Sequence, residues 1–464
     1  MSESHAQADT GVLDDFEQEY RTGILRAEEA PPAAIGTAAD LAMGAVPTTA
    51  FAVRGCILTP ERKIEGGYVL VDSTSIAAVG AQRPEQVPVI ETGGVILPGL
   101  IDLHGHPEYN VFAPWEPPTQ YSNRYAWRDS PEYAQVIKQP WSQLKTIKGT
   151  LARYAEVRAL VSGVTAIQGA SLQYAGKGEA LVRNVDLRIF GEHRARSIID
   201  LSSVGDDDRR RLRAQIDAGE VTALYVHLAE GVDAKSSREL DDLIAADLLT
   251  PATIIIHGTA LSRDQLGEVR DAGARLVWSP QSNLRLYGRT TLAGDALELG
   301  IPLGLGADWL PSGSANLLAE LKVARRTLAL QGHPMSARRL VSMVTRDAAR
   351  IAGLDRYLGR IEPGRPADLL VLERRRDSPW ESVVEADASW VELVTIGGNL
   401  VYGRTDWIGS LAAGAELEPV IAWGKPLSID TTYTAGPAAA PPPRLADLRR
   451  ALIARYPQVG PIFA

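Results

Sequence analysis

Apolar and polar residues alternate between residues 49 and 80, where glycine and proline interrupt the pattern. This alternation predicts short β-strands joined by turns. From about residue 96 to 354 the pattern changes to short apolar runs, and most of them precede stretches with an apolar residue every three or four positions, such as 144–161 and 316–330. That spacing is typical of amphipathic helices, so the central region is predicted to repeat strand-then-helix units.

Repeated units of this kind favour an α/β fold with a (β/α)8 TIM-like barrel. The predicted strands occupy 95–106, 163–170, 186–193, 221–230, 252–260, 274–280 and 301–309. A doubly wound open sheet is the alternative, because strand number and order are not visible in a sequence. Strand texture returns after about residue 360, and we expect it to join the first segment in one small β-sandwich domain formed by both flanks of the barrel.

These patterns divide the chain into five segments. They are an N-terminal extension (1–46), the leading β-sandwich segment (47–95), the barrel (96–354), the returning β-sandwich segment (355–420) and a C-terminal extension (421–464). The last segment combines a proline-rich stretch with a short amphipathic helix, a pattern more typical of packing or assembly than of chemistry.

The composition of the chain excludes several classes of partner and of metal site. With 45% hydrophobic and 23% charged residues, the chain resembles an ordinary soluble globular protein, and its net charge of −9 is spread without a basic stripe that would indicate nucleic acid. A single cysteine, Cys56, excludes an internal disulfide and a cysteine-based zinc site. Because the N-terminus lacks a secretory pattern and no apolar run reaches about 18 residues, we expect a cytoplasmic protein with a small-molecule partner and no membrane contact.

Histidines cluster at the predicted strand ends. Four of the seven histidines, and one aspartate, end predicted barrel strands: His104, His106, His227, His257 and Asp308. Side chains alternate along a strand, so His104 and His106 should point the same way on either side of Gly105. In a parallel barrel all such ends face one mouth. Singly, each could be a hydrogen-bonded core residue or a helix cap, but together they predict a site for zinc or a similar divalent ion.

Other polar residues lie beside these predicted ligands. Glu230 follows His227 by three positions and can approach the metal for general acid-base work, although a surface position at a helix start is the alternative. Gln168, at a predicted strand end, and Asn283 can supply hydrogen bonds that orient a substrate, although Asn283 could instead hold its own loop.

Aromatic residues are scarce in this chain, at 6% of all positions, yet they crowd the segment after the paired histidines. They are Tyr109, Phe112, Trp115, Tyr121, Tyr125, Trp127 and Tyr133, and Trp309 follows Asp308 directly. Such rings can line a pocket for an apolar or aryl group, and we assign Tyr109, Trp115 and Trp309 to substrate binding. The alternative is that the rings simply pack this long loop onto the barrel.

The motifs "PGLIDLHGH" (98–106), "GLGADW" (304–309) and "RIEPGRPADLLVL" (360–372) resemble the amidohydrolase superfamily. "HLAEG", "IIIHGTAL" and "WSPQSNLRL" are similar to its mononuclear branch, which contains cytosine deaminases and triazine hydrolases. Segments 104–128 and 306–325 look closer to phenylurea and thiocarbamate (molinate) herbicide hydrolases.

The resemblance implies one divalent metal ion per subunit, held by His104, His106, His227 and Asp308. Zinc is the first choice, with iron, manganese or cobalt as alternatives, and no candidate lysine indicates a binuclear site. Glu230 and His257 become the acid-base and substrate-polarising pair, and a homo-oligomer is expected because it is common among similar proteins.

A metal that lowers the pKa of bound water to about 7 would provide hydroxide at neutral pH. We predict that Asp308 and Glu230 handle the water proton, that this hydroxide attacks a carbonyl carbon, and that His257 hydrogen-bonds the atom on which charge accumulates. The first predicted substrate is a small, fairly apolar amide, urea or (thio)carbamate, such as a phenylurea, which releases an amine or thiol. Deamination of a nucleobase-like or triazine heterocycle is the alternative, and a non-catalytic scaffold is the alternative of another class.

Overall fold

The computed structural model describes residues 50–169, 180–186, 190, 195–412, 415–434 and 442–459. The predicted N-terminal extension therefore lies outside the described residues. Within the described ranges, no helix is long and apolar enough to cross a membrane.

Strands and helices alternate through the central region of the chain. The described strands are β1 (Phe51–Leu58), β2 (Lys63–Asp72), β3 (Ser75–Gly80), β4 (Val89–Pro98), β5 (Leu100–Asp102), β6 (Val164–Ile167), β7 (Arg183–Asn184), β8 (Ala195–Ile198), β9 (Ala223–Leu228), β10 (Thr253–His257), β11 (Arg275–Trp278), β12 (Leu303–Leu305), β13 (Leu369–Leu372), β14 (Val391–Ile396), β15 (Asn399–Arg404), β16 (Glu418–Ala422) and β17 (Lys425–Ile429). The α-helices are Arg124–Arg128, Pro131–Tyr133, Gln139–Leu144, Lys148–Val161, Asp206–Asp217, Ala234–Ala245, Arg263–Asp271, Pro280–Tyr287, Ala293–Glu298, Leu317–Leu330, Ala337–Ser342, Arg346–Ile351, Pro379–Glu385, Thr405–Ile408 and Leu445–Ile453.

The barrel is built from β5 to β12, all of which run parallel to their neighbours. β5, β6 and β7 form a three-stranded sheet, and β8 to β12 form a five-stranded sheet. A parallel bridge between Gly105 and Asp308 joins the ends of the first and last strands. This closure confirms the predicted barrel over the open sheet. The predicted strand at 186–193 lies mostly outside the described residues, and β7 and β8 flank it.

Both flanks of the barrel contribute to a single sheet. Its order is β16-β17-β15-β14-β13-β4-β1-β2-β3, so β13, which follows the barrel, pairs with β4, which precedes it. The described strands reach Pro98 and Ile429, past the predicted segment limits at 95 and 420. The expectation that both flanks build one β domain is confirmed.

Alternation along the barrel strands decides which side chains enter the barrel. On β9, Ala223 and Tyr225 belong to a buried interior cluster, whereas Leu224, Val226 and Leu228 pack in the larger core that includes the surrounding helices. His227 has the same parity as Ala223 and Tyr225, so the strand directs its ring inward. The helices start at capped positions; Asn316, for example, accepts a hydrogen bond from the Ala319 amide at 3.0 Å and begins Leu317–Leu330.

A buried ion pair joins the barrel to the sheet. Arg183 of β7 donates two hydrogen bonds to Asp368, which precedes β13, at 2.6 and 2.9 Å. Asp368 also accepts a hydrogen bond from the Gly397 amide at 2.8 Å. Both charged side chains are almost completely buried. Each charge is therefore compensated mainly by the other, across the boundary between the barrel and the sheet.

Replacing Arg183 with alanine leaves the Asp368 carboxylate buried without its guanidinium. Because an unpaired buried charge is costly, the free energy of unfolding should fall by roughly 3–5 kcal/mol. Urea unfolding measures this change. The matched control is Arg210→Ala, since Arg210 pairs with Asp207 on the exposed face of Asp206–Asp217. Equal destabilisation by both variants would contradict a special role for the buried pair.

Candidate functional site

The structure brings the five predicted strand-end residues together at the carboxyl ends of the barrel strands. The His104 ring centroid lies 5.0 Å from His106, 4.7 Å from His227 and 5.1 Å from His257. Asp308 Oδ1 lies 3.2 Å from His104 Nε2 and 3.7 Å from His106 Nε2. Two groups offer ligand atoms within 4.8 Å of one another, and His104 belongs to both: His104, His106 and Asp308 in one, His104, His227 and His257 in the other.

Several buried histidine nitrogens in this cluster have no hydrogen-bond partner among the described residues, as expected of atoms that bind a metal. Both ring nitrogens of His227 and Nδ1 of His104 are buried, and they have no hydrogen-bond partner within the described ranges of the chain. Buried polar atoms normally have partners. Burial, aided by the neighbouring histidines, lowers the pKa of His227 well below its usual value and that of His106 to about 4. Neutral imidazoles are the form that binds metal, so His106 and His227 are in the binding form. Burial alone would lower the pKa of His104, but the Asp308 carboxylate raises it above its usual value, so a divalent ion would displace a proton from that ring. With its unpartnered nitrogens, the donor set fits a divalent ion.

Burial alone would raise the pKa of Asp308, but the nearby histidines, His104 first among them, hold it well below its usual range. Its carboxylate is therefore ionised at neutral pH and suited to bind a cation.

Backbone strain marks the same mouth. His257 and Asp308 have left-handed φ angles of 71° and 61°. On β10, Ile254 and Ile256 face the interior cluster and Ile255 faces the outer core, so regular alternation would turn His257 outward. The left-handed backbone accounts for its ring lying beside His104. Such conformations cost about 1–3 kcal/mol each in non-glycine residues and concentrate at functional sites.

Glu230 lies beside this cluster. Its Oε2 is 3.7 Å from His257 Nε2, and its Oε1 accepts a hydrogen bond from the Tyr287 hydroxyl at 2.6 Å. Burial raises the pKa of Glu230 to about 7, against the opposing effects of Arg124 and Tyr287. A carboxyl group that titrates near neutral pH is suited to general acid-base catalysis.

Buried Arg124 secures the turn that carries Glu230. Its guanidinium donates to the His227 carbonyl at 3.1 Å, and its backbone amide donates to the Glu230 carbonyl at 3.1 Å. Gly231 permits this close approach, because a Cβ there would lie 2.6 Å from the Ser122 carbonyl oxygen and 2.8 Å from the Asn123 Cα. The segment before Trp127 therefore docks directly on the turn after β9.

A pocket opens beside the cluster. Its described lining combines site residues with four aromatic rings: His106, His227, His257, Glu230, Asp308, Tyr109, Trp127, Tyr133 and Trp309. Tyr109 and Trp309, both predicted to bind substrate, are in this lining. Trp115 is not in the described lining; its ring lies 6.5 Å from Trp127 and 6.2 Å from Tyr133.

Neither of the two predicted amide side chains is in the described lining of the pocket. Gln168 donates to Asp186 at 2.9 Å and Ser197 at 3.2 Å, while its Oε1 is buried without a partner among the described residues. Asn283 is fully buried and lies 3.1 Å from His257 Nδ1. Sequence reasoning missed Tyr287 and Arg124, because each reaches Glu230 or its turn through the tertiary fold.

Comparisons with known proteins show what this chain is similar to. The model of the Amidohydrolase family matches residues 205–401. A 5-methylthioadenosine/S-adenosylhomocysteine deaminase of Teredinibacter turnerae is 25% identical over 61% of this chain and 72% of the relative. An 8-oxoguanine deaminase of Pseudomonas aeruginosa is 24% identical over 72% of this chain and 88% of the relative.

A solved structure shares the fold. Atrazine chlorohydrolase from Arthrobacter aurescens TC1, complexed with zinc, superposes with a TM-score of 0.61 at 17% identity, covering 87% of this chain and 99% of that one. The family match and the deaminase relatives show a hydrolase that acts on carbon-nitrogen bonds, and over residues 205–401 the chain is similar to the amidohydrolase superfamily.

Proposed function

We propose that this protein is a metal-dependent aminohydrolase that replaces the exocyclic amine of a flat, neutral nitrogen heterocycle by oxygen and releases ammonia. The observation that carries the proposal is the placement of Glu230, with one carboxylate oxygen held by Tyr287 and the other facing His257 at the aromatic pocket. The reaction consumes one water: its oxygen stays on the ring carbon, one of its hydrogens leaves with the amine as ammonia, and the other remains on the product heterocycle.

The relatives favour deamination over our first predicted reaction. Both curated relatives described above are named deaminases, which supports the alternative prediction better than hydrolysis of an amide, urea or (thio)carbamate. The superfamily resemblance is supported, whereas the closer resemblance to phenylurea and molinate hydrolases is not.

One zinc ion held by His104, His106, His227 and Asp308 would supply the nucleophile, since such an ion lowers the pKa of bound water to about 7. Glu230 would accept a proton from the attacking water and return it to the heterocycle or its departing amine. His257 would donate a hydrogen bond where negative charge develops. The rings of Tyr109, Trp127, Tyr133 and Trp309 would hold a flat substrate against these groups.

Removing a ligand should empty the metal site. We expect the wild-type protein to retain about one divalent ion per chain after dialysis. Loss of a residue that only hydrogen-bonds a metal ligand lowers metal affinity roughly 10- to 100-fold, so Asp308→Asn and His227→Ala, which remove a ligand itself, should lower it further. Inductively coupled plasma mass spectrometry measures the content. Glu220→Gln, which changes an exposed carboxylate, is the control. Unchanged metal content in both ligand variants would contradict the site.

The reaction class is tested by incubating the zinc-loaded protein with four candidate substrates. They are 5-methylthioadenosine, 8-oxoguanine, an aminotriazine and N-phenylurea. Ammonia release from a heterocycle is expected, and Glu230→Gln should slow it about 10²- to 10⁴-fold because the proton carrier is lost. Mass spectrometry identifies the product, and Glu220→Gln should match the wild type. Release of aniline from the phenylurea, without any deamination, would instead support our first predicted reaction.

A further inference from the structure

A hydrogen-bond chain that begins at a buried indole ends on His257. The Trp278 Nε1–H donates to the Thr290 hydroxyl at 2.7 Å, and that hydroxyl donates to Asn283 Oδ1 at 3.1 Å. An indole N–H can only donate, so the Thr290 oxygen accepts from Trp278, and in this structure the Thr290 proton is directed to Asn283 Oδ1. With its oxygen facing Thr290, Asn283 presents its NH2 group to His257 Nδ1 at 3.1 Å.

The direction of this chain decides where His257 carries its proton. Nδ1 accepts from the Asn283 amide and therefore holds the lone pair, so the ring is in its neutral form and its one proton lies on Nε2. Nε2 is the nitrogen that lies 3.7 Å from Glu230 Oε2, on the pocket side.

A second chain of the same polarity ends on Glu230. The Trp127 Nε1–H donates to the Tyr287 hydroxyl at 2.8 Å, and that hydroxyl donates to Glu230 Oε1 at 2.6 Å. Burial and the neighbouring carboxylate raise the pKa of Tyr287 well above its usual value, so its hydroxyl keeps its proton. Oε1 is thus occupied as an acceptor, and a proton bound by Glu230 resides on Oε2.

We propose that Asn283 and Tyr287 are positioning residues, and that each is the last donor of a hydrogen-bond chain that starts at an indole. Asn283 places the fixed proton of His257 on Nε2. Tyr287 places the exchangeable proton of Glu230 on Oε2. The two protonation sites face each other at the pocket, where the substrate's reacting carbon and leaving amine must lie. This inference rests on the proposed function for its catalytic role, whereas the proton positions follow from the hydrogen bonds.

The arrangement gives Trp127 two tasks. Its ring lines the pocket, and its N–H starts the chain to Glu230. Trp309 also lines the pocket, but no described hydrogen bond connects it to either chain. The two tryptophans therefore form a matched pair: both line the pocket, but only Trp127 belongs to the hydrogen-bond chain that ends on Glu230.

The His257 proton is tested first, in the zinc-loaded protein without substrate. Nitrogen-15 NMR of labelled histidines, with His257 assigned by its replacement, should show Nε2–H in the wild type. Thr290→Val removes the hydroxyl that orients Asn283, so the Nδ1–H form should become populated. Thr291→Val is the matched control, because Thr291 donates to the His257 carbonyl at 2.6 Å and not to its ring. Nδ1–H in the wild type, or equal effects of both valine variants, would overturn the assignment.

The Glu230 chain is tested by a double-mutant cycle with 5-methylthioadenosine as the probe. Tyr287→Phe should lower kcat about 10- to 100-fold with little change in KM, because a hydrogen bond to a charged group is lost. Trp127→Phe should cause a smaller loss of kcat alone and no further loss in the Tyr287→Phe background, since it acts through Tyr287. Trp309→Phe should add to Tyr287→Phe independently.

Failure of the inference and failure of the proposed function are separable. If the wild type is active, additive kcat losses for Trp127→Phe and Tyr287→Phe would overturn the chain from Trp127 through Tyr287 to Glu230. An unchanged kcat in Tyr287→Phe would also overturn it. If the wild type does not deaminate the probe, the melting temperatures of the same variants are measured instead. A non-additive change for Trp127→Phe with Tyr287→Phe, together with an additive change for Trp309→Phe with Tyr287→Phe, supports the chain. Additive changes for both pairs overturn it. The histidine NMR experiment decides the His257 proton in either case.

Discussion

The junction between the first and last barrel strands is the constraint on which the site depends. The Asp308 amide donates to the His104 carbonyl at 2.9 Å, and Asp102 Oδ1 accepts from the amides of His104 and Ala307 at 3.3 and 3.0 Å. Gly306 makes this closure possible, because a Cβ there would lie 2.5 Å from the His104 Cβ. Closing the barrel therefore brings histidines and an aspartate that are about 200 positions apart into one cluster.

The segment after the paired histidines connects the aromatic pocket with Glu230, the proposed acid-base group. Its aromatic rings line the pocket, and its Arg124 and Trp127 hold the turn and the carboxylate of Glu230. Since Gly231 lets this segment lie against the turn after β9, a displaced loop would change the pocket wall and the position of Glu230 together. Under the proposed function, substrate specificity and the acid-base step would therefore depend on the same loop.

Much of the site was predictable because a barrel strand has a simple rule. Alternation and the shared direction of parallel strands placed His104, His106, His227 and Asp308 at one mouth, and they are found there. The same rule is insufficient for His257, whose inward direction requires a left-handed residue at the strand end. β7 shows the limit of apolar patterns, since it is a two-residue strand that begins with a charged arginine and was not predicted.

The sequence alone determined the fold class, because periodicity is a local property of the chain, and its motifs determined the hydrolase class through their resemblance to the amidohydrolase superfamily. Only the tertiary structure decided that Asn283 orients His257 and lies outside the described pocket lining, that Trp115 packs behind the pocket rings, and that Tyr287 holds Glu230. The Asn283–His257 contact joins residues 26 positions apart, and the Tyr287–Glu230 contact joins residues 57 positions apart. No local pattern specifies them, because they arise only when closure of the barrel brings separate strand ends and loops together.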